Sequence, residues 1–377
     1  MERLVAGYGI SEDDDARLAG RSAAAAALAQ LAGAEAALLI VYASVRYELA
    51  ALLAGVRDEA GDTPLVGATS TGHLTNGTLM TPGRGVAVLA MSAGPYQFGV
   101  ASTGGLRADA AEAGRRLARA ARDAAGPQRL AHAALIVLAD GLASENQSLL
   151  NGIYRVTGAG VPVAGGSAGD DTQMRQTFVF HGDRVLTDAA VAVWIDTPHA
   201  LTAVAAHGWQ PCSMPLVVTR SDGAVIHELN GRPAVEVFRE HVVLNERFHS
   251  SHALGLIQPD GTQLIRAVYI VDDALMSFAP LPQFSAVQIV TCVPEDLLQV
   301  GDDVVTRAVD GIDPGVLLVF DCVGRAGILE DRCAEETARL QRAAGDVLTF
   351  GMYTYGEFAR TSSIAGYHNA TLAVMAL

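Results

Sequence analysis

One pattern recurs three times along these 377 residues and leaves few architectures open. Each copy reads strand, helix, buried strand, helix, a strand ending in small residues and glycine, and a closing strand. In the first copy Leu4 to Gly9 is a strand, and Asp13 to Asp15 cap an Ala-rich helix. Ala37 to Ala43 is a continuous apolar run, the signature of a strand buried on both faces. Tyr47 to Glu59 is an amphipathic helix, Pro64 opens a strand ending in Ala68-Thr69-Ser70-Thr71-Gly72, and Gly85 to Ser92 closes the unit.

The second copy runs from Tyr96 through the helix Arg107 to Ala125, the buried run Ala134 to Ala139 and a helix capped by Ser144. It then reaches Pro162 to Asp171 and two strands, Thr177 to His181 and Ala189 to Ile195, joined at Gly182-Asp183. In the third, Ala286 to Val293 is the first strand, Asp296 to Val309 and Glu330 to Ala343 are helices, and Val316 to Phe320 is the buried run. The turn after Leu348 is Met352-Tyr353-Thr354-Tyr355-Gly356-Glu357, and His368 to Leu377 closes. Gly67/Gly72 and Gly351/Gly356 share one separation, and Gly165/Gly169 is one residue shorter. The expected fold class is α/β: three related β-α-β-α-β-β units with mixed sheets, plus a β-rich insert between the second and third. The insert, from about Leu201 to Phe284, is β-rich and holds five of the ten histidines.

Composition narrows the function. A net charge of -15 and a pI near 5.0 argue against a nucleic-acid or anionic-membrane partner, both of which need clustered Lys and Arg. The start lacks a signal-peptide pattern, and Ala23 to Val45 is broken by Gln30, Gly33 and Glu35. With Cys212, Cys292, Cys322 and Cys333 unpaired in spacing, the expectation is a cytoplasmic protein with reduced thiols.

Several groups could carry chemistry. Gly165-Gly166-Ser167-Ala168-Gly169 is a literal G-x-S-x-G, but a nucleophile elbow needs a helix directly after the serine, and here Asp170-Asp171 follows. Asp321 and His368 would supply the chain order of a serine-hydrolase triad, which keeps Ser167 as an alternative nucleophile. Asp170 and Asp171 either meet a cation or divide between a turn amide and solvent, since neighbours on extended backbone point to opposite sides. His249 and His252 form a ligand pair only if helical. His207, beside Gly208-Trp209, could bind an anion, a haem iron or a backbone carbonyl. Tyr353 to Glu357 offers either hydrogen-bonding groups for a small polar ligand or a packing corner.

Together these pieces carry a resemblance. Val163 to Asp171, Phe178-Val179-Phe180-His181 and Asp188 to Val193 resemble the FIST N domain. His207-Gly208-Trp209, Val218-Thr219 and Glu228 to Ala234 are similar to that family's passage into the FIST C domain, and Phe350 to Glu357 with His368 to Leu372 resemble its ending. The resemblance implies domains at 1–229 (FIST N-like) and 230–377 (FIST C-like). It also implies a bacterial signal-transduction sensor, without catalysis, for an amino acid or similar small polar metabolite. Some relatives resemble haem-dependent nitric-oxide sensors acting on histidine kinases or cyclic-di-GMP enzymes, so haem on His207 is the alternative cofactor. Where the family commonly has cysteine and glutamate, this chain has Ala68 and His73, so roles carried by those side chains are not implied here. The expected ligand-binding residues are Thr69, Ser70, Gly166, Ser167, Asp170, Tyr353, Tyr355 and Glu357 on the three turns, with His207 and Arg220 nearby. Arg220 is expected to take a carboxylate bidentately.

Overall fold

The computed structural model describes residues 3–143, 146–242, 251–360 and 366–377. His249 and the expected cap Ser144 lie outside them. The three units are present and share one topology. In unit one the strands are Ala6–Ser11, Ala36–Ala43, Leu65–Thr69 and Val86–Ser92. In unit two they are Gln97–Gly104, His132–Ala139, Val163–Ser167 and Ala189–Thr197. In unit three they are Thr202–Ala206, Val316–Cys322, Leu348–Thr354 and Leu372–Ala376. Each set lies in the spatial order first, fourth, second, third, with the last two parallel and the other neighbours antiparallel.

Each of these three sheets is completed to six strands by a hairpin from another unit. The unit-one hairpin His73–Thr75/Thr78–Met80 joins Leu348–Thr354 of unit three. The unit-two hairpin Val179–His181/Arg184–Leu186 joins Leu65–Thr69 of unit one. The unit-three hairpin Glu357–Ala359/Tyr367–His368 joins Val163–Ser167 of unit two. The exchange is cyclic and gives the body a pseudo-threefold axis. It also corrects the expected pairing at Gly182-Asp183: the turn leads into Arg184–Leu186, and Ala189–Thr197 returns to its own sheet.

The continuous apolar runs follow from this arrangement, because each second strand is covered on both faces. Leu38, Ile40 and Tyr42 enter one central core with Ile136, Leu138, Leu318 and Phe320. The alternate residues Leu39, Val41 and Ala43 pack under the unit-one helices Ala16–Ala29 and Leu49–Ala60. Those helices cross at Gly20 and Gly55, where an added Cβ would lie 2.1 and 2.0 Å from a backbone oxygen of the other helix. Asp15 caps the first helix by accepting from the Leu18 N–H, as the acidic run implied.

Unit three differs from the sequence expectation in where it starts. Its first strand is Thr202–Ala206, which pairs with Leu372–Ala376 before the insert begins. The strand expected at Ala286 to Val293 is Ala286–Thr291, which pairs with His252–Ile257 and Leu216–Asp222 inside the insert sheet. An apolar strand directly before a helix looks the same in either role; only the pairing partner distinguishes them. The insert has its own core around Ile226, Phe238, Leu254 and Ile289.

Candidate functional site

The third strand of each unit ends at the pseudo-threefold axis, where the chain crosses to the neighbouring sheet. The three turns are bonded directly to one another there. The Tyr353 N–H donates to Gly72 O (3.0 Å), Ser167 N–H to Gly356 O (2.8 Å), Tyr355 N–H to Ser167 O (3.2 Å) and Gly169 N–H to Thr69 O (3.0 Å). Thr69, Ser70, Gly166, Ser167, Asp170, Tyr353, Tyr355 and Glu357 are thus brought together from three distant parts of the chain. They form a closed hub, not an open rim: Thr69, Ser70, Ser167 and Glu357 are wholly buried, and Asp170 is 1% exposed.

Within the hub most polar groups serve the protein. Asp170 accepts from the backbone N–H groups of Met174 (2.9 Å), Arg175 (2.6 Å) and Gln176 (3.0 Å), and from the Tyr355 hydroxyl. Asp171 accepts from the Ser44 hydroxyl (2.6 Å) and the N–H groups of Val45 (3.2 Å) and Gly83 (2.7 Å). The carboxylates separate because Asp171 has a left-handed backbone (φ 53°), not an extended one. Both are supplied with donors: Asp170 is buried, Asp171 is part-exposed, and neither needs a cation. Ser167 Oγ accepts from Asn146 Nδ2 at 3.0 Å. The triad partners are engaged elsewhere, His368 Nε2 on the Ala359 carbonyl (2.9 Å) and Asp321 on Arg325 (2.8 Å). That arrangement gives Ser167 no base.

On the insert side, the expectation at Arg220 is also corrected. Arg220 is committed to Glu228 at 2.9 Å on the exposed surface of the insert, away from the hub. His207 Nδ1 accepts from the Trp209 N–H at 3.0 Å. Burial, with help from Arg325, pulls its pKa down to about 4. The Trp209 amide thus occupies Nδ1, which leaves Nε2 as the one nitrogen that could meet a haem iron. Among the described residues no group of three His, Cys, Asp or Glu is placed to hold a metal ion.

Behind the hub lies a second buried layer. Arg325 donates through Nε to Asp321 (2.8 Å) and through Nη2 to Glu336 and the Leu297 carbonyl (3.2 Å). All three charged side chains are 0–1% exposed. Beside them Glu357 accepts from the Thr354 hydroxyl (2.6 Å) and the Thr371 N–H (3.2 Å). Burial nevertheless pushes its pKa up to about 8.

The accessible space is a cavity of about 500 Å³ between hub and insert. Unit two contributes Leu142 and Met174; unit three contributes Cys322, Tyr355, Tyr367 and Asn369; the insert contributes His252, Ala267 and Phe278, with Trp209 at the junction. Of the expected ligand residues, only Tyr355 lines it. Burial pushes the Cys322 thiol up, with Glu357 adding to the shift, so it forms a neutral wall. Asn369 is 1% exposed and its Oδ1 has no partner. Asn369 and Arg266 were missed as site residues. The sequence signal for Arg266 is a lone cation at the end of a short strand, Gln263-Leu264-Ile265-Arg266.

Comparison with known proteins places the chain. The FIST N domain matches residues 37–232 and the FIST C domain matches residues 234–360. The two matches abut inside the insert, not at the edge of a unit. An uncharacterized protein of Mycobacterium tuberculosis is 29% identical over 242 residues, covering 63% of this chain and 59% of the relative. One from Methanocaldococcus jannaschii is 29% identical over 80 residues, 21% of this chain and 16% of that one. The chain thus spans about three fifths, or less, of these relatives' length. Among solved structures, cyanuric acid hydrolase from A. caulinodans aligns over 99% of both chains at 12% identity and a TM-score of 0.38. A chorismatase aligns over 100% of both at 11% identity and 0.37. Scores this low carry no inference about fold or activity.

Proposed function

Because this chain belongs to the FIST family, whose domains act as small-ligand sensors in signal transduction, we propose that it senses a metabolite of amino-acid size held between hub and insert. The observation that supports this reading is the cavity itself. At about 500 Å³ it lies in the usual range for small-molecule sites. Its walls come from units two and three and from the insert, so an occupant would bridge separate structural units. A ligand that binds one arrangement better than another changes their populations, which is the physical content of sensing. The signal would pass in trans, to a partner such as a histidine kinase or a cyclic-di-GMP enzyme. No helix among the described residues is long and apolar enough to cross a membrane.

A thermal-shift screen of amino acids and related metabolites tests the reading, since a ligand that binds only the native state must stabilise it. The control is Gly324→Leu. Gly324 lines the cavity, and an added Cβ would meet only Cys322 Sγ, at 3.5 Å, so the larger side chain fills space without a backbone clash. Stabilisation of the native chain that disappears in Gly324→Leu is the expected result. A screen without stabilisation, or stabilisation unchanged in that variant, overturns the site. An absorbance spectrum run alongside tests haem: a Soret band abolished by His207→Ala would identify that ligand.

A further inference from the structure

Arg266 ends the insert strand Gln263–Arg266 and is 4% exposed. No carboxylate among the described residues pairs with it. Its Nη1 donates to the carbonyls of Ile265 (3.0 Å) and Tyr367 (3.2 Å), and its Nε has no partner. Arg325, equally buried, is neutralised by Asp321 and Glu336. A buried guanidinium without a counter-ion is costly, and it persists where something outside the chain supplies the negative charge. Burial pulls the Arg266 pKa down to about 10, the same penalty seen from the proton's side.

This cation lies directly behind the cavity wall. The next two residues, Ala267 and Val268, line the cavity, and so does Tyr367, whose ring centre is 5.9 Å from the guanidinium carbon. Most of the remaining lining is apolar, including Leu142, Met174, Trp209, Phe278 and Ile328. A single unpaired cation just behind a largely apolar wall describes an occupant with one charged end and a greasy body.

We propose that the cavity binds a small carboxylic acid with an apolar or aromatic body, its carboxylate paired with Arg266 and a neighbouring N–H or O–H donated to Asn369 Oδ1. The proposal rests on the reading of this cavity as the sensor's ligand site. It replaces Arg220 by Arg266 as the anion-binding arginine, since a planar fork can take a carboxylate bidentately only if no internal carboxylate already occupies it.

The test is calorimetric titration of the full chain with phenylacetate and 3-phenylpropionate against their neutral amides, in native protein, Arg266→Gln and Arg266→Lys. In the native protein the acids are expected to bind about tenfold to a hundredfold more tightly than the amides, the worth of one charge-assisted hydrogen-bonded pair. Arg266→Gln is expected to erase that preference without weakening the amides, and Arg266→Lys to keep part of it. Equal binding of acid and amide by the native protein, or a preference that survives in Arg266→Gln, overturns the proposal. If Arg266→Gln fails to fold, the native acid-against-amide comparison decides alone. If neither acid binds while another metabolite gives stabilisation sensitive to Gly324→Leu, the acid assignment fails and the cavity reading stands. If nothing binds, both fall.

Discussion

Glu357→Gln is the most informative substitution in the hub, because the native carboxyl titrates in a window where few other groups do. Glu357 is wholly buried and its pKa is raised from 4.5 to about 8, with burial the main cause. A carboxyl whose folded pKa lies above its unfolded value binds its proton more tightly in the folded state. The stability it contributes is therefore full below 4.5 and is lost as pH climbs towards about 8. At about 1.4 kcal/mol per pH unit, the loss across that window is about 5 kcal/mol. The glutamine cannot ionise and keeps the carboxyl's shape. Urea unfolding of both proteins at several pH values gives the difference directly, and the depressed pKa values of His207 and His368, both about 4, are common to the two curves. The stability of the native protein relative to the variant is expected to fall by about 5 kcal/mol between about pH 4 and pH 9. Parallel curves would refute the reasoning, since they would mean that Glu357 ionises as easily in the hub as in the unfolded chain.

Two further perturbations probe the layers around it. Arg325→Met leaves Asp321 and Glu336 buried without their cation and is expected to cost about 3–5 kcal/mol in chemical denaturation. Replacing all three side chains by apolar residues of similar volume should recover most of that loss. Asp170→Ala strands the backbone N–H groups of Met174, Arg175 and Gln176 and is expected to cost about 2–4 kcal/mol, with faster amide exchange confined to that loop as the local signature.

Much of the architecture was legible because local periodicity encodes it. The apolar runs at Ala37 to Ala43, Ala134 to Ala139 and Val316 to Phe320 are the doubly covered second strands of the three sheets. The recurring small-residue turns marked the places where three chain segments had to cross at close quarters, and they do meet. Their recurrence could not say that the meeting point is closed. Asp170 looked like a ligand group because its sequence neighbours are small and polar, yet its three amide donors lie four to six residues ahead in an irregular loop. His207, marked by Gly208-Trp209 beside it, and Arg220, marked by its chemical type, each have internal partners that neither signal reveals.

The sequence by itself determined the units, their strand and helix content and the positions of their turns, because 2.0- and 3.6-residue periodicities are properties of short segments. It also carried the family, since the order of many weak motifs survives without coordinates. Only the tertiary structure decided which sheet each hairpin joins, which strand opens the third unit and which polar groups are satisfied inside the chain. The strand pairings are relations between residues more than a hundred positions apart, and the polar contacts depend on loop conformations that periodicity does not encode. That is why Arg266, unremarkable on its strand, becomes an unpaired charge behind a cavity wall once Tyr367 is folded against it.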